Sequence, residues 1–252
     1  MQIQYASDLH LEFPANWRWL QAHPIIPKAE ILLLAGDTYT LGNQMEKHAF
    51  FDWASASFEQ VFLIPGNHEY YGGFDAKMGM EIEYEIPLRD NVHLLNNATR
   101  YLGDTRIIFS TLWSKVVREV LAVYRGMTDF RLIRFDGVPL SIDRYNELFE
   151  HAWTYVKTAL ETEHQGKTIV VTHHLPSDYC NLPKYRGSRL NEGFCTDLTN
   201  YILDSAADYW IYGHSHGNRN AFQIGETTLL TNQLGYVEMG EHFRFNRTAI
   251  IE

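Results

Sequence analysis

Short, continuous apolar runs recur along this chain and end abruptly at glycine, proline or a cluster of polar residues. Ile31-Leu32-Leu33-Leu34-Ala35 stops at Gly36, and Val61-Phe62-Leu63-Ile64 stops at Pro65. Runs without polar alternation fit strands buried on both faces. They predict strands over 3–6, 31–35, 61–64, 92–95, 106–109, 169–171, 209–212, 227–231 and 248–251. Between them the period changes. Met45, Ala49, Phe50 and Trp53 have helical spacing, predicting a helix over 43–58. Tyr145, Leu148, Phe149, Ala152, Tyr155, Val156 and Leu160 share one face of a long amphipathic helix over 142–163, which Gly166 ends. A further helix is expected over 198–206. Phe13, Trp17, Trp19 and Leu20 suggest a covering loop or short helix, and 111–134 reads as a surface helix with a loop. Residues 175–194 carry Pro, Gly and Asn throughout and read as a long functional loop. Strand–helix–strand succession is the mark of an α/β fold. With no internal repeat or linker, the chain reads as one domain over 1–252.

What the strands deliver is more informative than the strands. Five of them end in polar motifs: Asp8-x-His10, Asp37, Asn67-His68, His173-His174 and His214-x-His216. Ligands of α/β sheets sit beyond the carboxyl ends of the strands. Half of the 12 His fall in these five places. A single histidine after a strand is usually a satisfied structural residue, but five such ends supplying Asp, Asn and His together point to one site. Imidazole mixed with carboxylate suits Zn, Fe or Mn rather than an all-oxygen Mg or Ca site. No cysteine accompanies these motifs, which argues against structural zinc. The donors are too many for one ion with an open position, whereas two ions sharing a carboxylate would use them.

Composition narrows the partners. A net charge of −10 counts against general affinity for nucleic acid or an anionic membrane. No apolar run approaches the ~20 residues needed to span a bilayer. The first residues read at once as a strand and lack the features of a signal peptide. Cys180 and Cys195 cannot build a disulfide framework, so free thiols and a reducing cytoplasm are expected.

Taken in order, D-x-H, G-D, G-N-H-E, a strand-end His and G-H-x-H resemble the calcineurin-like metallophosphoesterase superfamily, in its compact bacterial-type members. The resemblance runs from Asp8 to His216. It implies a four-layer α/β/β/α sandwich with the metal site at the C-terminal ends of the strands. It also implies phosphomonoester or phosphodiester hydrolysis, by a hydroxide bridging two ions (Mn, Fe or Zn). Asp8, His10 and His216 would hold one ion, Asn67, His173 and His214 the other, and Asp37 both. His68 would face the leaving-group oxygen as general acid or transition-state stabiliser, and Glu69 would orient a neighbour. From the residues alone either His173 or His174 could be the ligand. The family pattern favours His173, with His174 lining the pocket or capping the next turn.

Weaker candidates surround this set. Lys184, Arg186 and Arg189, with Tyr185, could grip a small phosphoester substrate or be solvated loop charges. Tyr39, Tyr70 and Tyr71 follow ligand-bearing turns and could stack on an aromatic group or simply pack. Asn218 and Arg219 are surface residues or substrate contacts. Two rival functions remain: a nuclease of the same superfamily, disfavoured by the acidic balance, and an inactive binding module retaining the fold.

Overall fold

The computed structural model describes residues 2–251. Its strands are β1 (Ile3–Ala6), β2 (Ile31–Leu34), β3 (Gln60–Leu63), β4 (Tyr84–Arg89), β5 (Val92–Asn96), β6 (Ala98–Leu102), β7 (Thr105–Ser110), β8 (Arg134–Phe135), β9 (Val138–Pro139), β10 (Thr168–Thr172), β11 (Tyr209–Ile211), β12 (Phe222–Ile224) and β13 (Thr227–Leu230). The helices are α1 (Pro14–Ala22), α2 (Asn43–Glu46), α3 (Ala49–Ser57), α4 (Val120–Gly126), α5 (Asp129–Leu132), α6 (Ile142–Glu161) and α7 (Thr199–Leu203). No helix among the described residues is long and apolar enough to cross a membrane.

Two sheets carry the fold, in the orders β1-β2-β3-β5-β4 and β12-β13-β11-β10-β7-β6. In the first, β1, β2, β3 and β5 are parallel and β4 is an antiparallel edge. In the second, β13, β11, β10 and β7 are parallel, and β12 and β6 are antiparallel edges. Side chains alternate across each strand, which sorts them between two cores. Ile3, Ile31, Leu33 and Phe62 of one sheet meet Ile107, Phe109, Ile169, Val171 and Ile211 of the other. The alternate residues Leu32, Leu34, Val61 and Leu63 face outward with Phe50, Phe51 and Ala54 of α3. On the far side Ile108, Val170 and Trp210 join Tyr145, Phe149, Ala152 and Val156 of α6. Helix, sheet, sheet, helix: the apolar runs are continuous because both faces of each central strand are covered. Each buried aliphatic side chain contributes about 1.5–3 kcal/mol to that arrangement.

Several elements differ from the sequence expectation. The helix expected over 43–58 is two, because the His48 ring accepts a hydrogen bond from Phe50 N and caps a fresh start for α3. Residues 248–251 do not form a strand. They meet β1 through a single antiparallel bridge, Gln4 with Ile250, flanked by the bonds Tyr5 N to Ala249 O and Ile251 N to Ile3 O. The helix expected over 198–206 keeps only five residues, and α6 stops at Glu161, ahead of Gly166. The edge strands β4, β6 and β12 escape the apolar-run criterion because their outer positions are solvated.

Candidate metal centre

The parallel strands β1, β2 and β3 of one sheet and β10 and β11 of the other end at a common rim. Just beyond them the chain turns sharply, and Asp8, His10, Asp37, His214 and His216 all have positive φ, between 47° and 73°. Non-glycine residues pay for that conformation, and it clusters where a side chain must be aimed. The two sheets are stitched together at this rim. His214 N–H donates to Asp8 Oδ1 at 3.0 Å, and His173 Nδ1 lies 2.9 Å from Ala35 O. Gly36 and Gly66 are required here by contact. A Cβ on Gly36 would run into the His173 ring, and one on Gly66 into both Asp37 Oδ1 and His173.

Three groups of donor atoms converge: His10 with Glu12 and His68, and two nests that share Asp37. Asp8, His10, Asp37 and His216 converge in one, and Asp37, His173 and His214 in the other. In the first, His10 Nε2 and His216 Nε2 are 2.8 Å apart, and Asp8 Oδ1 is 3.5 Å from His216 Nε2. In the second, His173 Nε2 lies 3.1 Å from His214 Nδ1 and 3.2 Å from Asn67 Oδ1. Asp37 belongs to both: its Oδ2 is 3.7 Å from His10 Nε2 and 3.3 Å from His173 Nε2. Its other oxygen is taken by the His68 N–H at 2.9 Å.

The hydrogen bonds behind the nests test whether metal ions fit. His10 Nδ1 is bonded to Glu12 at 3.1 Å, His216 Nδ1 to Glu241 at 2.8 Å, and His173 Nδ1 to the Ala35 carbonyl. Those acceptors place a ring proton on Nδ1, which leaves a lone pair on Nε2 of His10 and His216 and makes Nε2 of His173 the atom that must lose a proton to bind an ion. In the first nest two such lone pairs then face each other beside two carboxylates, an arrangement that repels itself unless a cation lies between. Asn67 fits the same logic. Its Nδ2 donates to Asp129 Oδ1 at 3.0 Å and Tyr71 Oη at 3.1 Å, which turns Oδ1 toward His173. The residues therefore suit transition-metal ions of nitrogen–oxygen preference.

Electrostatics agrees. Burial lowers the His10 pKa, and burial together with the neighbouring histidines holds His214 well below its ordinary value, so both are neutral and ready to ligate. Burial opposes charge on His173 too, but Asp37 outweighs it and raises His173 to about 10. A proton there occupies the place of a cation. Asp37 stays ionised despite burial, held well below the usual carboxylate range by His173 and His68.

Residues 1–218 match the sequence model of the family described as calcineurin-like phosphoesterase. The chain belongs to that family. An uncharacterized protein of Acanthamoeba polyphaga mimivirus is 30% identical over 282 aligned positions, covering 99% of this chain and 96% of the relative. The solved phosphopantetheinyl hydrolase of Mycobacterium tuberculosis shares the fold, with a TM-score of 0.72 at 15% identity over 99% of this chain and 95% of its own. The chain is accordingly a hydrolase acting on phosphoester bonds, with the α/β architecture expected of it.

In this phosphoesterase the remaining candidates separate clearly. His68 sits at the edge of the nests without joining either: Nδ1 is 2.9 Å from Glu12 Oε1, and Nε2 is 3.2 Å from Tyr236 Oη. Burial opposes its charge, but Asp37 and Glu12 raise it to about 9. Glu69 is fully buried and accepts four backbone N–H groups, from Asp37, Thr38, Tyr39 and Gly66. It ties the Asp37 turn to the Gly66 turn. Burial and the Asp37 charge push its carboxyl up to about 8, against those four donors.

His174 does not line the pocket. It is buried behind His214, ring centroids 4.1 Å apart, with Nε2 3.2 Å from the Tyr145 hydroxyl. Tyr39 does not face the cleft either; its ring packs on His48. Arg186 is exposed on its loop, Lys184 lies over the Tyr185 ring, and Arg189 pairs with Glu119. Arg219 covers Phe222, and Asn218 bonds Gln233. Of the tyrosines after Asn67, Tyr70 is core and Tyr71 lines the cleft.

Sequence reasoning missed five residues of the site: Glu12, Tyr71 in its hydrogen-bonding role, Asp129, Tyr236 and Glu241. Glu12 had a local signal, since it extends Asp8-x-His10 by the same spacing. Asp129, at the start of α5, and Tyr236 and Glu241, near the C-terminal end, lie outside every strand-end motif and meet the site only through folding.

Proposed function

We propose that this enzyme uses two transition-metal ions (Mn, Fe or Zn) to hydrolyse a small phosphomonoester or phosphodiester. Asp8, His10 and His216 would hold one ion, Asn67, His173 and His214 the other, and Asp37 both. The observation that carries this reading is the position of Asp37 Oδ2, a corner common to the two nests. When bound, the ions would neutralise the phosphoryl oxygens and acidify a water.

The chain's own residues supply the rest. His68 is held protonated by Glu12 and Asp37. Its Nε2 faces the cleft beside Tyr236, positioned to give a proton to the departing alkoxide or phenoxide. Asp129 and Tyr71 keep the Asn67 amide oxygen aimed at its nest. Glu69 keeps Asp37 in place by accepting the N–H groups of Asp37 itself and of Thr38 and Tyr39 after it, while also holding Gly66. A nuclease reading gains nothing from the site, because no Lys or Arg is among the residues lining the cleft.

The test is metal-dependent release of p-nitrophenol from its phosphate mono- or diester. Protein reloaded with Mn²⁺ after chelation should recover activity that the chelated protein lacks. Folded protein that cleaves neither ester with Mn²⁺, Fe²⁺ or Zn²⁺ would sink the proposal.

A further inference from the structure

The cleft over the nests has a volume of about 520 Å³ and two unlike sides. Near His68 it is bounded by Phe13, Tyr71 and Tyr236, with the Tyr71 ring 4.2 Å from the His68 ring. Elsewhere it is bounded by Met127, Leu132, Tyr185, Leu190 and Phe194, and Phe194 lies against the His214 ring at 4.6 Å. This second side is a built wall rather than a loose loop. Leu190 packs on Gly126, and Met127 and Val123 on Gly193, so closely that neither glycine leaves room for a Cβ. The Glu192 carboxylate locks the same two segments together. It accepts the N–H groups of Val117, Arg118 and Glu119 at 2.8–3.0 Å, at the start of α4.

Charge is as telling as shape. The carboxylates lining the cleft are Asp37, Asp129 and Glu241, the His68 imidazolium is the cation among its lining side chains, and no Lys or Arg lines it. Of the cations nearby, Arg118 pairs with Glu192 and Arg189 with Glu119, whereas Arg186 is exposed on its loop and Lys184 lies over the Tyr185 ring, close enough to Glu241 to lower its carboxyl pKa. Phosphates or carboxylates beyond the one held at the metal nests would meet these acids, and the His68 cation is already paired with Glu12.

We propose that the substrate is a singly charged phosphodiester whose non-leaving arm is uncharged and apolar, aryl or alkyl, lying against Met127, Leu132, Leu190 and Phe194. This rests on the phosphoesterase reading above and adds the substrate class. Met127, Leu132, Leu190 and Phe194 offer no polar partner to the extra charges and hydroxyls of nucleotides, polyphosphates and sugar phosphates, which disfavours such arms at this wall.

The experiment holds the leaving group constant and varies the arm, using Mn²⁺-loaded enzyme and the methyl, phenyl and carboxymethyl diesters of p-nitrophenyl phosphate. The phenyl diester should exceed the methyl diester in kcat/KM by about tenfold, ~1.4 kcal/mol, and the carboxymethyl diester should fall below both. Methylphenylphosphinate should likewise bind tighter than dimethylphosphinate by calorimetry, a readout without turnover. Leu190→Ala should shrink the phenyl-to-methyl ratio. Leu132→Lys, at a half-exposed position that can change without disturbing the core, should raise the carboxymethyl diester relative to the methyl one. Equal rates for the phenyl and methyl diesters, or a preference for the charged arm, would overturn the arm assignment and leave the phosphoesterase standing. Cleavage of none of the three alongside release of p-nitrophenol from its phosphate monoester would overturn this proposal and leave the phosphoesterase standing; cleavage of neither ester class would overturn both.

Discussion

Glu12 Oε1 lies 2.9 Å from His68 Nδ1, and the same oxygen is 3.1 Å from His10 Nδ1. One carboxylate thus orients the proposed acid and a proposed metal ligand together. Glu12→Gln removes the charge and keeps the shape. Turnover of alkyl phosphodiesters should fall by about 10–100-fold, with a smaller loss on p-nitrophenyl esters, whose leaving group needs less help. Equal losses on both would show that Glu12 acts only through the metal site.

His68→Ala separates acid from ligand. Metal analysis should find both ions retained, while kcat for poor leaving groups drops by roughly 10²–10⁴-fold. Because Glu12 and Asp37 hold the His68 proton up to about 9 in the metal-free protein, and bound cations push that value down, wild-type activity on alkyl esters should decline at or before pH 9. If His68→Ala instead empties a site, the division of labour is wrong.

Asp129→Ala should free the Asn67 amide, whose Nδ2 Asp129 now holds at 3.0 Å. Metal affinity is expected to drop about 10–100-fold without loss of fold. Equilibrium dialysis against a competing chelator reads this directly. Unchanged affinity would remove Asn67 from the ligand set.

Metal uptake should depend on pH with a definite sign. His173 is raised to about 10 in the metal-free protein, so at neutral pH an ion entering that nest must displace its proton. Apparent affinity should rise about tenfold per pH unit while His173 remains protonated. Calorimetry in buffers of different ionisation heat should count about one proton released per ion bound at that nest.

Arg106 tests the frame rather than the chemistry. Fully buried on β7, it donates to the carbonyls of Ala159 (2.8 Å) and Thr162 (2.6 Å) at the end of α6 and to Thr168 Oγ1 at 3.1 Å. Arg106→Ala leaves those acceptors unpaired and should cost about 2 kcal/mol, roughly 4–8 °C in Tm. Thermal melting of the two proteins decides it.

The chain's linear order already determined the parallel strands and the motifs that leave them. Apolar runs with both faces covered look the same in sequence as in the fold, so β2, β3, β10 and β11 were legible. The residues at their carboxyl ends were legible with them, because a strand end sits beside its neighbour's whatever the loops do. That is why the linear order alone gathers Asp8, His10, Asp37, Asn67, His173, His214 and His216 at one rim.

Tertiary structure decided what those residues face. His173 and His174 are adjacent and chemically identical, and only the position of Ala35 O on one side and the Tyr145 hydroxyl on the other tells them apart. The supports of the site, Asp129 on α5 and Tyr236 and Glu241 near the C-terminal end, come from distant segments with no motif of their own. The cleft wall is decided in the same way, by Leu190 meeting Gly126 and Met127 meeting Gly193 across the packed loops. Strand ends are placed by a local pattern and backbone pairing, whereas loop partners are placed by packing, which no spacing along the chain records.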